Sequence, residues 1–268
     1  MYSLTNISET LFVPMCGRIY ASEHFPKLFY DAQALKLKSQ IPEKALKFNQ
    51  QSQYTFMASV SRCKNIDNSI KNFLKENPYG IIIELGCGLE TTYFRTDNGR
   101  AQWYELDLPE VIEFREKFIP MQERMTFIKS SVFDKDWIDN LNKSTQNQPV
   151  LFIAGGLFHY FEQNNVIKLL QNLCKFSNAQ IVFDTVSRLG MKGTKKYMKK
   201  MGHDSAKMYF YCNKAELLAA KISSNVRVIE ERDFYKCIDK TDMNFITQFF
   251  MRVSDLMHMV KIIELKLS

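Results

Sequence analysis

The chain has 268 residues, 46% hydrophobic and 24% charged, which suits one large globular domain and argues against long disordered stretches. No apolar run approaches the roughly 20 residues that span a bilayer, and the first residues lack the pattern of a secretory leader. The net charge of +7 comes from a lysine-rich background with no visible nucleic-acid module, so neither a membrane nor a polynucleotide is an expected partner.

In chain order, residues 1–79 read as helices: Glu9–Glu23, Asp31–Lys38 and a long Gln50–Glu76. Gly17 is their only glycine. They are expected to form a cap on the ligand edge of a sheet. From Ile81 the pattern alternates. Strands are predicted over Ile81–Leu85, Ala101–Leu106, Met125–Ile128, Val150–Ala154 and Gln180–Asp184. Helices are predicted over Leu108–Phe118, Asp134–Asn142 and Gln163–Cys174. Apolar strands separated by amphipathic helices predict a parallel sheet covered on both faces. An insertion, about residues 185–212, follows the fifth strand and is expected to be a lid. A helix at Asn213–Lys221, strands at Val226–Glu231 and Met259–Leu267, and a helix at Asn244–Leu256 complete a single domain, divided as 1–79, 80–184, 185–212 and 213–268.

The most informative stretch is IIIELGCGLETTYFR, residues 81–95. A strand ends in a Gly86-Cys87-Gly88 turn, and Asp107 closes the next strand. A glycine turn lets backbone approach a ligand, and an acid after the following strand accepts hydrogen bonds from ribose hydroxyls. The dinucleotide fingerprint requires a third glycine where this chain has Thr91. That favours S-adenosylmethionine over NAD. Each residue also has a plainer reading. The glycines relieve strain at a turn, and Asp107 caps the helix opened by Pro109. Six scattered cysteines and four dispersed histidines predict no metal site and a reduced, cytoplasmic protein.

Together with ASVSRCKNIDNSI, WYELDLPEVIEFREKF, FIKSSVFDKDWID and VLFIAGGLFHYF, these segments resemble the leucine carboxyl methyltransferase family, most closely its bacterial branch of tetracenomycin-type polyketide O-methyltransferases. The resemblance implies a class I methyltransferase, a Rossmann-like, mostly parallel seven-stranded sheet closed by an antiparallel pair. It implies S-adenosylmethionine as cofactor, with Arg62 on its methionine carboxylate, Gly86 and Gly88 beneath it, Asp107 on the ribose and Ser131 with Val132 beside the adenine. Arg95 is matched as well and is expected to be structural. Gly155 stands where the family usually has a glutamate facing the cationic end of the cofactor, so this chain departs from the pattern there. His159 and Tyr160, just after the fourth strand, are the candidate catalytic residues. His159 would take a proton from a hydroxyl, although a histidine bonded within its own loop is the plainer reading. The acceptor is expected to be a small polyketide-like or aromatic acid, methylated on a carboxyl or hydroxyl oxygen. Alternatives are methylation of a protein C-terminal carboxylate and a cofactor binder without turnover. Lys192, Lys195, Lys196, Lys199 and Lys200 suggest a solvated helix face or a lid for an acidic substrate, and Met208 to Tyr211 suggest a pocket wall.

Overall fold

The computed structural model describes residues 5–41, 52–145, 147–193 and 208–268. Its sheet has seven strands: β1 (Ile81–Leu85), β2 (Gln102–Asp107), β3 (Met125–Lys129), β4 (Val150–Ala154), β5 (Ala179–Val186), β6 (Arg227–Asp233) and β7 (Val260–Lys266), in the order β3-β2-β1-β4-β5-β7-β6. The first five run parallel, and β7 is inserted antiparallel between β5 and β6. This is the Rossmann-like class I architecture. The strand order reverses between β1 and β4, and a crevice at such a switch point is where open α/β sheets bind ligands.

Period-2 alternation sends neighbouring side chains to opposite faces. Ile81, Ile83 and Leu85 join a core with Phe152, Phe183 and the helices α6 (Lys135–Ser144), α7 (Gln163–Leu173) and α8 (Ala215–Ile222). Ile82 joins the opposite core with Trp103, Leu151, Ile153 and Val182. That second core is covered by α3 (Gln53–Glu76), whose Met57, Val60, Cys63, Ile66, Ile70, Phe73 and Leu74 recur at helical spacing. Ser52 caps α3, its hydroxyl accepting the Thr55 N–H at 3.3 Å.

The long helix therefore belongs to the sandwich, which corrects the expectation that all of residues 1–79 cap the ligand edge. A helix with so broad an apolar stripe needs a sheet face to bury it. Among the described residues before β1, α1 (Thr5–His24), α2 (Ala32–Leu37) and a 3₁₀ turn at Lys38–Gln40 lie outside α3. Arg18 of α1 donates to the Leu89 carbonyl at 2.8 Å and to Glu90 at 2.5 Å, binding the cap to the glycine turn. α4 (Thr92–Thr96) follows that turn and α5 (Pro109–Arg115) follows β2. β6 and β7 are joined through α9 (Phe245–Leu256), capped by Asn244 on the Thr247 N–H at 2.8 Å.

Candidate cofactor and acceptor site

The expected site residues gather at the carboxyl ends of the parallel strands. Gly86 and Gly88 adopt φ of 66° and 47°, backbone that L side chains rarely take. A Cβ on Gly86 would lie 2.6 Å from Leu157 Cδ1, in the loop after β4, and one on Gly88 would lie 3.0 Å from Leu11 Cδ2. The loops after β1 and β4 thus touch at Gly86 and Leu157, and a side chain on Gly86 would have to displace the tip of that leucine. Cys87 is fully buried, and burial pushes its thiol well above the ordinary range, so it packs.

Asp107 Oδ2 accepts the Gly88 N–H and Oδ1 accepts the Leu108 N–H, each at 2.8 Å. Burial raises its pKa, and those two amides only partly offset this. Each oxygen keeps a lone pair for a further donor. The turn is braced from below by two buried acids in register, Glu84 on β1 and Glu105 on β2. Arg115 of α5 pairs with Glu105 and donates to the Gly88 carbonyl at 3.0 Å.

Ser131 and Val132 follow β3. Asp134 accepts the Ser131 N–H at 3.0 Å and the Ser130 hydroxyl at 2.8 Å, bringing an acid next to a position where the sequence has none. Val132 is buried in the first core.

Arg62 projects from the middle of α3 toward the loop after β4. Its Nε donates to Asp184 Oδ2 at 2.8 Å. The same oxygen is 3.2 Å from His159 Nε2, and Asp184 Oδ1 accepts the Gly156 N–H at 2.5 Å. Burial alone would raise the Asp184 pKa, but Arg62, His159 and the Gly156 amide outweigh it and hold the carboxyl well below its usual range. His159 is tethered to β5, not within its own loop. Its Nδ1 is buried with no hydrogen-bond partner among the described residues. Sequence reasoning missed Asp184. The signal was an acid inside AQIVFDTV, a strand otherwise almost wholly apolar and buried on both faces.

Arg62, His159, Tyr160 and Asp184 form the polar side of a cavity of about 450 Å³. Tyr54 of α3, Phe234, Tyr235 and Phe250 of α9 form its aromatic side. The Tyr54 ring stands 6.0 Å from Tyr235 and 5.7 Å from Phe250. Met208 also lines the cavity, whereas Phe210 is fully buried in the first core and Tyr209 is half-exposed, its N–H on the His159 carbonyl at 2.8 Å. The expected wall at 208–211 is thus formed in part, by Met208 and not by Tyr209 or Phe210. Lys192 is exposed, and Lys195, Lys196, Lys199 and Lys200 lie outside the described residues.

Arg95 is held inside the protein. It donates to Asp67 at 2.8 and 3.0 Å, to Asp31 at 2.9 Å and to Thr91, joining α3, the α2 cap and the glycine-turn segment.

The sequence pattern of the family described as leucine carboxyl methyltransferase matches residues 15–174, more than half of the chain. The chain belongs to the leucine carboxyl methyltransferase family. As a member of that family it is a methyltransferase that depends on S-adenosylmethionine. It is 26% identical over 185 residues to the tetracenomycin polyketide synthesis O-methyltransferase TcmP of Streptomyces glaucescens, covering 68% of this chain and 67% of that one. In fold it is similar to a DUF574 family protein from Streptomyces avermitilis, with a TM-score of 0.61, 12% identity and coverage of 94% and 96%. It is also similar to a putative methyltransferase from Thermobifida fusca, with a TM-score of 0.58, 13% identity and 97% of both chains covered.

The residues present fit the cofactor. The glycine turn offers backbone in a conformation that L side chains rarely take, Asp107 has free lone pairs beside it, and Arg62 is a guanidinium anchored by one edge.

Proposed function

We propose that this enzyme methylates a carboxyl or hydroxyl oxygen of a small polyketide-like or aromatic acid. The observation that carries this is the single cavity in which Arg62, expected at the methionine end of the cofactor, meets an aromatic wall. Its volume is that of small-molecule sites, roughly 300–1,000 Å³, and a wall of mutually tilted aromatic rings favours an aromatic acceptor through edge and face contacts. The name of the TcmP relative points the same way.

When bound, the cofactor supplies a methyl carbon on a cationic sulfur, which departs as the neutral thioether with the electron pair of the broken C–S bond. The chain's own work is to hold and align. Gly86 and Gly88 present backbone to the cofactor, Asp107 takes its ribose hydroxyls, and Ser131 and Val132 border its adenine. Arg62 pairs with its carboxylate in the fork geometry that guanidinium groups use. Gly155 brings backbone close to the Arg62 stem. Alignment of this kind is worth several kcal/mol of the barrier.

At the acceptor, Asp184 selects the tautomer of His159 with the proton on Nε2, which leaves a lone pair on Nδ1. That form accepts a proton from a hydroxyl. Tyr160 stands at the cavity rim, half-exposed, and orients the acceptor through its phenol.

The test is calorimetric titration with S-adenosylmethionine and S-adenosylhomocysteine, with NADH as control, followed by a radiolabelled methyl-transfer screen of aromatic acids and phenols. Transfer to one of these, with binding lost in Arg62→Ala, supports the reading. Cofactor binding without transfer to any member of the panel counts against the acceptor class. The variant His159→Gln then separates the two oxygens. A carboxylate is already ionised and needs no base, so its methylation persists, whereas hydroxyl methylation falls by roughly 10²–10⁴.

A further inference from the structure

We propose that Asp184 is a positioning residue for both halves of the site, holding Arg62 toward the cofactor and His159 toward the acceptor, and that it supplies from β5 the negative charge absent at position 155. This rests on the placement of Arg62 and His159 proposed above.

Four observations carry it. Phe183 pairs with Ala154 in the β4–β5 register, so Gly155, just past the end of β4, comes beside Asp184, which lies within β5. The carboxylate is 1% exposed, and its two oxygens accept from Gly156, Arg62 and His159. With no surface to offer a ligand, it acts through the groups that it holds. Arg62 is gripped at Nε, which fixes the stem, and its terminal nitrogens lie beside Gly156. Finally, a Cβ at position 155 would lie 3.4 Å from Arg62 Cδ and 2.9 Å from Ile66 Cδ1, with no positive φ. An acid just after β4 would therefore reach the same guanidinium once the tip of Ile66 shifts.

The physical need is plain. A cofactor with a sulfonium and an ammonium brings two cations beside Arg62, and a partly buried guanidinium without a counter-charge repels both. An anchored arginine also loses less of its rotamer freedom when it binds. One carboxylate meets both requirements. Because it also touches His159, the orientation of the cofactor clamp and of the acceptor-side imidazole depend on the same atom.

The experiment measures S-adenosylmethionine affinity by calorimetry for wild type, Asp184→Asn, Gly155→Glu and the double variant. We expect Asp184→Asn to bind about tenfold more weakly, about 1.4 kcal/mol. Gly155→Glu alone should change affinity by less than about twofold, and the double variant should recover most of the loss. Recovery by an acid just after another strand is not what a merely structural role would produce. In parallel, ¹⁵N–¹H imidazole spectra should place the His159 proton on Nε2 in wild type and move it toward Nδ1 in Asp184→Asn. Equal affinity of wild type and Asp184→Asn overturns the proposal, as does a tenfold gain from Gly155→Glu in the wild-type background. If Asp184→Asn does not fold, the Gly155→Glu result and the wild-type imidazole spectrum still decide. Wild type that binds no cofactor refutes the placement of Arg62 instead, and the imidazole spectra then judge the His159 half alone.

Discussion

Arg115 donates to the carbonyl of Gly88 at 3.0 Å from a fully buried position. It is thereby the one guanidinium among the described residues that reaches the backbone of Gly88, and its other partner is the carboxylate of Glu105. The floor of the glycine turn is thus an ion pair inside the fold, with Arg115 Nε and Glu105 Oε1 left without hydrogen bonds among the described residues.

Removing that guanidinium leaves buried carboxylates uncompensated. Arg115→Met is expected to cost about 3–5 kcal/mol of stability, measured by urea unfolding. Arg115→Lys should recover little, because a single ammonium cannot span the Gly88 carbonyl and Glu105 in fork geometry. Full recovery by lysine would mean that charge alone, not shape, braces the turn.

Gly86 and Gly99 make a matched pair. Both have positive φ, 66° and 76°, but a Cβ on Gly86 meets Leu157 Cδ1 at 2.6 Å while one on Gly99 meets nothing within 4 Å. Gly99→Ala should lose about 1 kcal/mol from backbone strain alone. Gly86→Ala should lose more and weaken cofactor binding as well, since Leu157 must move. Thermal melts and calorimetry on the two variants check this.

Glu84 gives a pH dependence. Burial, then the neighbouring Glu105 and Glu90, push its pKa from 4.5 to about 8. Between those values the folded chain holds a proton that the unfolded chain has released, so this group makes stability fall as pH rises through that window and level off above it. Glu84→Gln should flatten the slope of unfolding free energy between pH 5 and 8. Parallel slopes for the two proteins would place the proton elsewhere.

Asp107 accepts two backbone amides with two oxygens. In Asp107→Asn one of those N–H groups faces an amide NH₂ and loses its acceptor. A stability loss of about 1 kcal/mol and a cofactor affinity at least tenfold lower are expected, read by melting and calorimetry respectively.

Phe250 lines the cavity yet is half-exposed, and its ring packs on Tyr54. Phe250→Ala should therefore raise the acceptor KM while leaving cofactor affinity and melting temperature nearly unchanged. A change in cofactor affinity of similar size would show that the cavity is not confined to the acceptor.

The chain by itself determined the elements, because their causes are short-range. Ile81–Leu85 and Val150–Ala154 match their strands to the residue, since buried parallel strands are continuous apolar runs bounded by turns. Pro109 opens α5 and Asn244 caps α9 through bonds made within a few positions. The Gly86-Cys87-Gly88 turn was legible because only glycine tolerates that backbone. The tertiary structure decided what lies side by side. Arg62 and Asp184 are 122 residues apart in sequence, and only the strand order that places β5 beside β4 brings them together. It also moved α3 from the sheet's edge to its face, split Met208 from Phe210, and set His159 against a carboxylate on another strand. A periodic pattern names the face that must be buried, but the partner that buries it, and the charge that a buried arginine finds there, follow from the order of the strands.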